Sequence, residues 1–216
     1  QGRGSEEAYV FKHALLRDAA YASVLKGERK RLHARIAEAL EEKRPETAIR
    51  EPELLANHCA LGGLVERAIV YWHRAGERAR ARSANSEAIG HLTHGLELLE
   101  TLPDDPSKVD REIDLRTSLA LAMTALHGAG APEVKENYVR ARLLSETDRE
   151  SPQHLTIMMG CWTSSIGRSE VYEAQELSRQ ILKLAEDRGE TAYLSEAKRI
   201  SGMSVFYAGQ FESARE

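Results

Sequence analysis

The chain has 216 residues, of which 42% are hydrophobic and 30% are charged, so it can bury a core and is not expected to be disordered. Its net charge of −4 excludes the global basic field that attracts nucleic acid or an anionic membrane surface. No apolar run approaches the ~20 residues that a membrane-spanning helix needs. We therefore expect no direct binding of nucleic acid and no membrane segment.

Ala, Leu, Glu and Arg, which are strong helix formers, dominate the composition, and aromatic residues make up only 6%. This composition predicts an all-α protein. The two cysteines, Cys59 and Cys161, lie far apart in sequence and form no CxxC pair, which favours a reduced, cytoplasmic location.

The first 46 residues predict two helices. Residues 1–8 are interpreted as a linker or an expression scar, and residues 9–11 (YVF) form a brief β-type run. Residues 13–25 (HALLRDAAYASVL) show apolar residues at helical spacing, and Gly27 is expected to break this helix. The following run, RKRLHARIAEALEEK, places Leu32, Ile36 and Leu40 on one face. Pro45 is expected to end it, because proline lacks the amide donor that a helix needs.

From Pro52 onward, the sequence predicts helices of about 10 to 20 residues joined by short turns. Turns of about two to six residues force consecutive helices into antiparallel hairpins. The predicted turns lie at Gly62 and Gly63, residues 83–85, residues 102–107, residues 128–132, Ser151 and Pro152, Gly167, Gly189 and Gly209.

A pattern of small and large residues recurs in these helices. Its fullest copy comprises Trp72, Ala75, Gly76, Ala79, Ala88, Leu92 and a closing Pro103. Further copies are marked by Gly160 and by Gly202, Gly209, Phe211 and Ala214, and a weaker one by Ala122. The pattern resembles the tetratricopeptide (TPR) signature, in which small residues let helix backbones approach and larger residues fill the flanking holes.

The copies are unevenly spaced. Gly76, Ala122, Gly160 and Gly202 follow one another at intervals of 46, 38 and 42 residues, whereas a regular TPR has a period of about 34. For residues 47–216 the pattern therefore predicts elongated, TPR-like antiparallel helical hairpins stacked in a right-handed superhelix. A HEAT-type helical repeat is the competing interpretation.

Three arginines are candidates for partner binding. Arg74, Arg78 and Arg82 recur at i, i+4 and i+8, so they lie on one helical face and could clamp an acidic peptide on the concave side of a superhelix. The alternative is a solvated face, with the arginines favoured by the C-terminal half of a helix.

Histidines and cysteines offer weaker candidates. Glu87, His91 and His94 fall at i, i+4 and i+7 and could hold zinc, although no fourth ligand is evident and histidines are common on amphipathic helices. Cys59 follows His58, but the sequence identifies no base and orienting group for a nucleophile. We predict no metal, no cofactor and no catalytic residue.

Two further segments have some features of ligand-binding sites. Residues 128–135 (GAGAPEVK) lack the lysine placement and preceding strand of a phosphate-binding loop, so they predict a hairpin turn. Residues 26–35 (KGERKRLHAR) form a basic cluster that could touch nucleic acid. Without interleaved aromatic residues, this cluster is better interpreted as a helix surface or an interface with a neighbouring domain.

The N-terminal run FKHALLRDAAYASVL, followed by RKRLHARIAEALEE, resembles the segment that closes the winged-helix region of STAND-type signalling ATPases. The family's arginine-rich helix, R-x-L-H-x-x-I-A-x-A-L, is matched at Leu32, His33, Ile36, Ala37, Ala39 and Leu40, and Arg31 directly precedes Leu32. The resemblance implies that residues 9–46 end a winged-helix-like segment. It also implies that residues 47–216 are the TPR region of a bacterial protein of this kind, most like those fused to a class III adenylate or guanylate cyclase.

The resemblance places the ATPase phosphate-binding loop and the cyclase aspartates upstream of this chain, so no catalytic residue is carried over. Both ends look cut, and the final residues, GQFESARE, are too few for a stable helix. We therefore expect a non-catalytic interaction and sensor region that binds a protein, peptide or other ligand, contacts the parent's own upstream domains and regulates attached catalytic domains. The alternatives are the TPR region of an ATPase-type transcriptional regulator, a metal-dependent enzyme using the His91/His94 face, and a self-associating module.

Overall fold

The computed structural model describes residues 14–149, 151–189 and 191–210. Within these residues the chain forms eleven α-helices and one 3-10 turn, Glu146–Asp148. The helices are α1 (Ala14–Ser23), α2 (Lys26–Lys43), α3 (Pro45–Arg50), α4 (Pro52–Gly62), α5 (Val65–Ala81), α6 (Asn85–Glu100), α7 (Pro106–His127), α8 (Pro132–Ser145), α9 (Pro152–Gly167), α10 (Val171–Arg188) and α11 (Thr191–Tyr207). None of these helices is both long and apolar enough to cross a bilayer.

Proline and glycine set most of the helix ends. Five of the six prolines stand in the first turn of a helix, where the missing amide proton would have no helical acceptor. Gly63 and Gly189 end α4 and α10 in the left-handed conformation, with φ of 73° and 69°. Each predicted turn from Gly62 to Gly209 therefore lies at a helix end.

The expected break at Gly27 is wrong. α1 already ends at Ser23, Val24 and Leu25 form the link, and Gly27 lies in the first turn of α2. A glycine in the first turn is tolerated because the amide groups there have no helical partners to lose. Pro45 follows the end of α2 as expected and also begins α3. The predictions for residues 9–11, Phe211 and Ala214 lie outside the described residues.

The helices form a linear series of antiparallel pairs. α2 packs against α4, with the short α3 between them, and α5 pairs with α6, α7 with α8, and α9 with α10, while α11 packs on α10. We call α2, α5, α7, α9 and α11 the A helices, and α4, α6, α8 and α10 the B helices. The predicted all-α fold of stacked TPR-like hairpins is confirmed.

Three core clusters run along the series instead of one central core. The first joins α2, α4 and α5, the second joins α5, α6 and α7, and the third extends from α7 to α11. Each hairpin thus packs mainly on its neighbours, as expected for a repeat stack. Ala37 of α2 is fully buried in the first cluster beside Leu55 and Trp72. The domain division at residue 46 stays a prediction.

Candidate interaction surface on the A helices

Side-chain hydrogen bonds join each A helix to the next. Every bond uses a polar group on the side of one A helix that faces its neighbour, and we call the set the A-helix ladder. Its members are Tyr71 Oη donating to Glu41 Oε1 (2.7 Å), His73 Nε2 with Ser118 Oγ (3.1 Å), Gln153 Nε2 donating to Asp114 Oδ1 (2.6 Å), and Trp162 Nε1 donating to Ser204 Oγ (2.7 Å). The ladder links five helices, so side chains exposed beside it are held in defined relative positions.

The ladder borders a set of solvent-facing side chains. These residues recur at helical spacing on the outward side of three successive A helices, and we call them the A-helix face. They are Val70, Arg74 and Arg78 on α5, Asp110, Asp114 and Leu121 on α7, and Thr156 and Thr163 on α9. Val70 and Leu121 are 37% and 39% exposed, so the face combines charged groups with accessible apolar surface.

The three arginines do not act as one cluster. Arg74 is exposed, and its guanidinium carbon lies 5.3 Å from the centroid of the Tyr71 ring, in a cation–π arrangement. Arg82 instead donates to Glu87 Oε2 at 2.8 Å across the turn between α5 and α6. Arg78 is partly exposed and forms no ion pair with a described residue. Of the three arginines, Arg74 and Arg78 are therefore the two that form no ion pair with a described residue.

Most of the recurring small and large residues that the structure describes lie where helices meet. Ala75, Ala79, Ala88 and Leu92 are at most 2% exposed, and Trp72 is 6% exposed. The remaining positions are glycines: Gly76 lies against Leu92 of α6, Gly160 against Tyr138 of α8, Gly202 is half-buried in α11, and Gly209 forms the turn after α11 with φ of 76°.

The histidines of α6 contact an indole ring. His91 stacks on Trp72 with ring centroids 5.3 Å apart, and the His94 ring lies 5.2 Å from the same indole. Glu87 is held by Arg82, and His94 Nδ1 lies 3.2 Å from Glu97. Across the part of the chain that the structure describes, no group of three or more His, Cys, Asp or Glu residues is placed to hold a metal ion.

Both cysteines are free and buried. Burial raises the pKa of the Cys59 thiol and of the Cys161 thiol to about 11. Because the thiolate is the nucleophilic form, neither thiol is activated near neutral pH. His58, which precedes Cys59, is engaged elsewhere, since its Nδ1 lies 2.9 Å from Nδ1 of His33.

We expect the free energy of unfolding to fall as the pH is lowered from about 7 to 5. Burial, and for His58 also the charge of His33, lowers the pKa of His58, His91 and His154 below 6.5. The unfolded chain therefore binds more protons than the native state in this range. The contribution of these three histidines to the free energy of unfolding is complete above pH 6.5, and it is lost as the pH falls toward their native pKa values.

Urea unfolding followed by far-UV circular dichroism at about pH 5.5 and 7.5 measures this effect. His58→Asn should reduce the difference in unfolding free energy between the two pH values, because it removes one of the three histidines with a lowered pKa. An equal unfolding free energy at both pH values in the wild-type chain would contradict the expectation.

The basic cluster of residues 26–35 lies on α2, near the N-terminal end of the described residues. Lys26, Arg29, Lys30 and His33 border a cavity of about 500 Å³, and Arg29 lies 5.0 Å from the centroid of the Tyr21 ring. Lys26 and Lys30 are exposed on α2, whereas Arg29 and His33 are partly buried.

Sequence reasoning missed the A-helix ladder. Ser118 and Ser204 are 8% and 1% exposed, on helices whose other buried residues are almost all apolar. A serine at a core position of an amphipathic helix is the signal that could have indicated a buried hydrogen bond. Their partners, His73 and Trp162, lie 45 and 42 residues away, so the pairing itself required the fold.

The repeated hairpins and their joined A helices define a TPR-like helical-repeat fold, in which each hairpin contacts mainly its neighbours. No family model matches the chain. An uncharacterized protein of Rhizobium meliloti (strain 1021) is 29% identical over an alignment of 161 residues that covers 72% of this chain and 15% of that protein. The chain thus spans a small part of the length of this relative.

Two solved structures share the architecture. One is a Podosopora anserina protein described as a kinesin light chain with nearly identical TPR-like repeats, with a TM-score of 0.65 and 17% identity, covering 89% of this chain and 92% of that one. The other is BtubC (BKLC) from P. vanneervenii, with a TM-score of 0.63 and 14% identity, covering 94% and 88%. At these identities the likeness shows the fold alone, and it favours the TPR-like over the HEAT-type interpretation.

Proposed function

We propose that this chain is a non-catalytic interaction module that binds a segment of a protein partner along the A-helix face. The observation that carries the proposal is the presence of Arg74 and Arg78, two arginines that form no ion pair with a described residue, on α5, a helix that the ladder joins to its neighbours. A carboxylate on a partner would form charge-assisted hydrogen bonds with Arg78.

The charges of the face indicate what the partner carries. The α5 part is cationic, through Arg74 and Arg78, and the α7 part is anionic, through Asp110 and Asp114. A segment that crosses from α5 to α7 would therefore place acidic residues over α5 and basic residues over α7. Val70 and Leu121 offer apolar surface for side chains between them.

We further propose that the module belongs to a bacterial signalling ATPase, most like those fused to a class III adenylate or guanylate cyclase, and passes its bound state to the attached domains. The resemblance of residues 9–46 to the end of a winged-helix segment supports this, as does the much greater length of the Rhizobium meliloti relative. Small rotations between stacked hairpins add up along a repeat array, which suits such a relay. A parent that is an ATPase-type transcriptional regulator is the alternative.

Binding of labelled peptides tests the surface. Two fluorescein-labelled peptides, one with glutamates before lysines and one with the reverse order, report the direction in which a segment lies. We expect one of them to bind and the double variant Arg74→Glu, Arg78→Glu to weaken binding at least tenfold, or about 1.4 kcal/mol, with unchanged circular dichroism.

Arg179→Glu is the matched control, because Arg179 is an exposed arginine on α10, paired only with Glu176, away from the A-helix face. Equal weakening by the control, or no binding of either peptide by the wild-type chain, would count against the proposed surface. ATP hydrolysis or nucleotide cyclisation by the chain alone would count against a non-catalytic role.

A further inference from the structure

A second cavity lies away from the A-helix face. It has a volume of about 460 Å³ and forms where the end of α8, the 3-10 turn and the start of α9 meet the C-terminal half of α10. Its lining combines three cations, two carboxylates, a histidine and a short apolar wall, and consists of Arg142, Glu146, Arg149, His154, Met158, Gln180, Lys183, Leu184 and Asp187. This volume is typical of small-molecule sites, which span about 300–1,000 Å³.

His154 presents a hydrogen-bond acceptor to this cavity. The residue is 3% exposed, and its Nδ1 lies 2.7 Å from Ser145 Oγ. Ser145 uses its single proton to donate to the carbonyl oxygen of Arg142 at 3.0 Å, so it accepts from Nδ1–H of His154. Burial and the neighbouring arginines lower the pKa of His154, which favours the neutral ring, and in that form Nε2 carries no proton. Nε2 has no hydrogen-bond partner among the described residues.

The electrostatic field at His154 is positive. Arg149 Nη2 lies 3.2 Å from Glu146 Oε2, so the positive charge of Arg149 offsets the negative charge of Glu146. Arg142 and Lys183 form no ion pair with a described residue, and Nη2 of the nearby Arg188 is buried without a hydrogen-bond partner. Burial lowers the pKa of His154, and the charges of Arg142, Arg149 and Arg188 lower it further, whereas only Glu146 opposes them. Asp187 lies at the rim, exposed to solvent.

We propose that this cavity binds a small organic phosphate, with Arg142 and Lys183 contacting the phosphate oxygens and His154 donating from Nε2 after taking up a proton from solvent. A guanidinium and an ammonium group are the side chains best suited to phosphate oxygens. A phosphate group alone fills only part of the cavity, which leaves room for an organic part beside Met158 and Leu184. Asp187 can accept hydrogen bonds from hydroxyl groups of that part.

Anion binding and protonation of His154 are coupled. In the empty cavity the surrounding arginines disfavour a proton on the ring, and a bound dianion reverses that field. Binding should therefore be tighter at lower pH. Sulfate is the probe that isolates this effect, because it remains a dianion throughout the range in which histidine titrates, unlike phosphate.

Sulfate titrations of the 216-residue chain, followed by NMR chemical shifts at about pH 6 and pH 8, test the proposal. We expect tighter binding at the lower pH, and His154→Gln should abolish the difference. Ribose 5-phosphate should bind more tightly than sulfate, whereas uncharged ribose should not bind.

Lys183→Gln is the principal variant, because Lys183 is exposed and its loss leaves no packing defect. Arg142→Gln is the second variant. Because Arg142 also donates to Gln180 Oε1 at 3.1 Å, the thermal unfolding of this variant is recorded together with its sulfate binding. Each should weaken sulfate binding at least tenfold, while Arg179→Gln, on the same helix as Lys183, should bind as the wild type does.

Undetectable binding of sulfate by the wild-type chain at up to about 10 mM would overturn the proposal, as would equal weakening by Lys183→Gln and Arg179→Gln. Sulfate binding that is the same at both pH values would overturn the role of His154. None of these outcomes bears on the A-helix face, so the two sites are tested separately.

Discussion

Replacing Leu92 with alanine is expected to lower the free energy of unfolding by about 3 kcal/mol. Leu92 is fully buried in the cluster that joins α5, α6 and α7, so its removal loses apolar burial and leaves a cavity between helices that the ladder and turns hold in place. Urea unfolding followed by far-UV circular dichroism measures the loss. Leu121→Ala, at a 39% exposed position of α7, is the control and should change stability by less than about 1 kcal/mol.

The contact between Leu92 and Gly76 makes a second substitution informative. A Cβ atom on Gly76 would lie 2.5 Å from Leu92 Cγ, so Gly76→Ala alone should be destabilising. In the Leu92→Ala background the added methyl group has room. We therefore expect the double variant to be about 1 kcal/mol more stable than the sum of the single changes predicts. Additive effects would contradict direct packing of these two residues.

The sequence was sufficient to predict the hairpins because the signals that end helices are local. Pro106, Pro132 and Pro152 each suit the first turn of a helix, and Gly63 and Gly189 adopt the left-handed conformation that ends one. These effects depend on one residue and its own backbone. They do not depend on what lies across the interface.

Sequence could not assign each small residue to its neighbour. Gly76 and Gly160 both mark an A helix, yet Gly76 faces Leu92 of the following B helix, whereas Gly160 faces Tyr138 of the preceding one. The difference arises from the rotation of each helix about its axis, which the surrounding core determines. A common spacing pattern therefore locates the close contacts without identifying their partners.

The helical spacing that placed Arg74, Arg78 and Arg82 on one face fails at Arg82, and partner binding by these arginines stays a prediction. Arg74 and Arg78 lie within α5, where the helical period applies, but α5 ends at Ala81 and Arg82 caps it with φ of −101° and ψ of 15°. Beyond Ala81 the chain turns, and the guanidinium of Arg82 forms an ion pair with Glu87 of α6. The cavity around His154 could not be predicted, because its lining comes from three helices and a turn that only the stacked hairpins bring together.

Replacing Gly160 with alanine is expected to cost about 2 kcal/mol, whereas the same change at Gly90 should stabilise the chain by up to about 1 kcal/mol. A Cβ atom on Gly160 would lie 2.2 Å from Cε1 of Tyr138, whose ring is 5% exposed and has little room to move. Gly90 lies inside α6 with no atom within 4 Å of an added Cβ, so only its helix propensity changes. Thermal and urea unfolding of the two variants measure both effects.

Gly160→Ala should also make the two ends of the stack unfold in separate transitions. The reason is that Gly160 and Tyr138 join the α7–α8 hairpin to the α9–α10 hairpin. In a repeat array, weakening one interface lets the elements beyond it unfold on their own. Trp72 and Trp162 lie on opposite sides of this interface, so variants that retain one tryptophan report each side by fluorescence. We expect the Trp162 transition to occur at lower urea than the Trp72 transition in Gly160→Ala. Coincident Trp72 and Trp162 transitions in Gly160→Ala would contradict this expectation and would mean that the hairpins on both sides of the interface unfold as one unit.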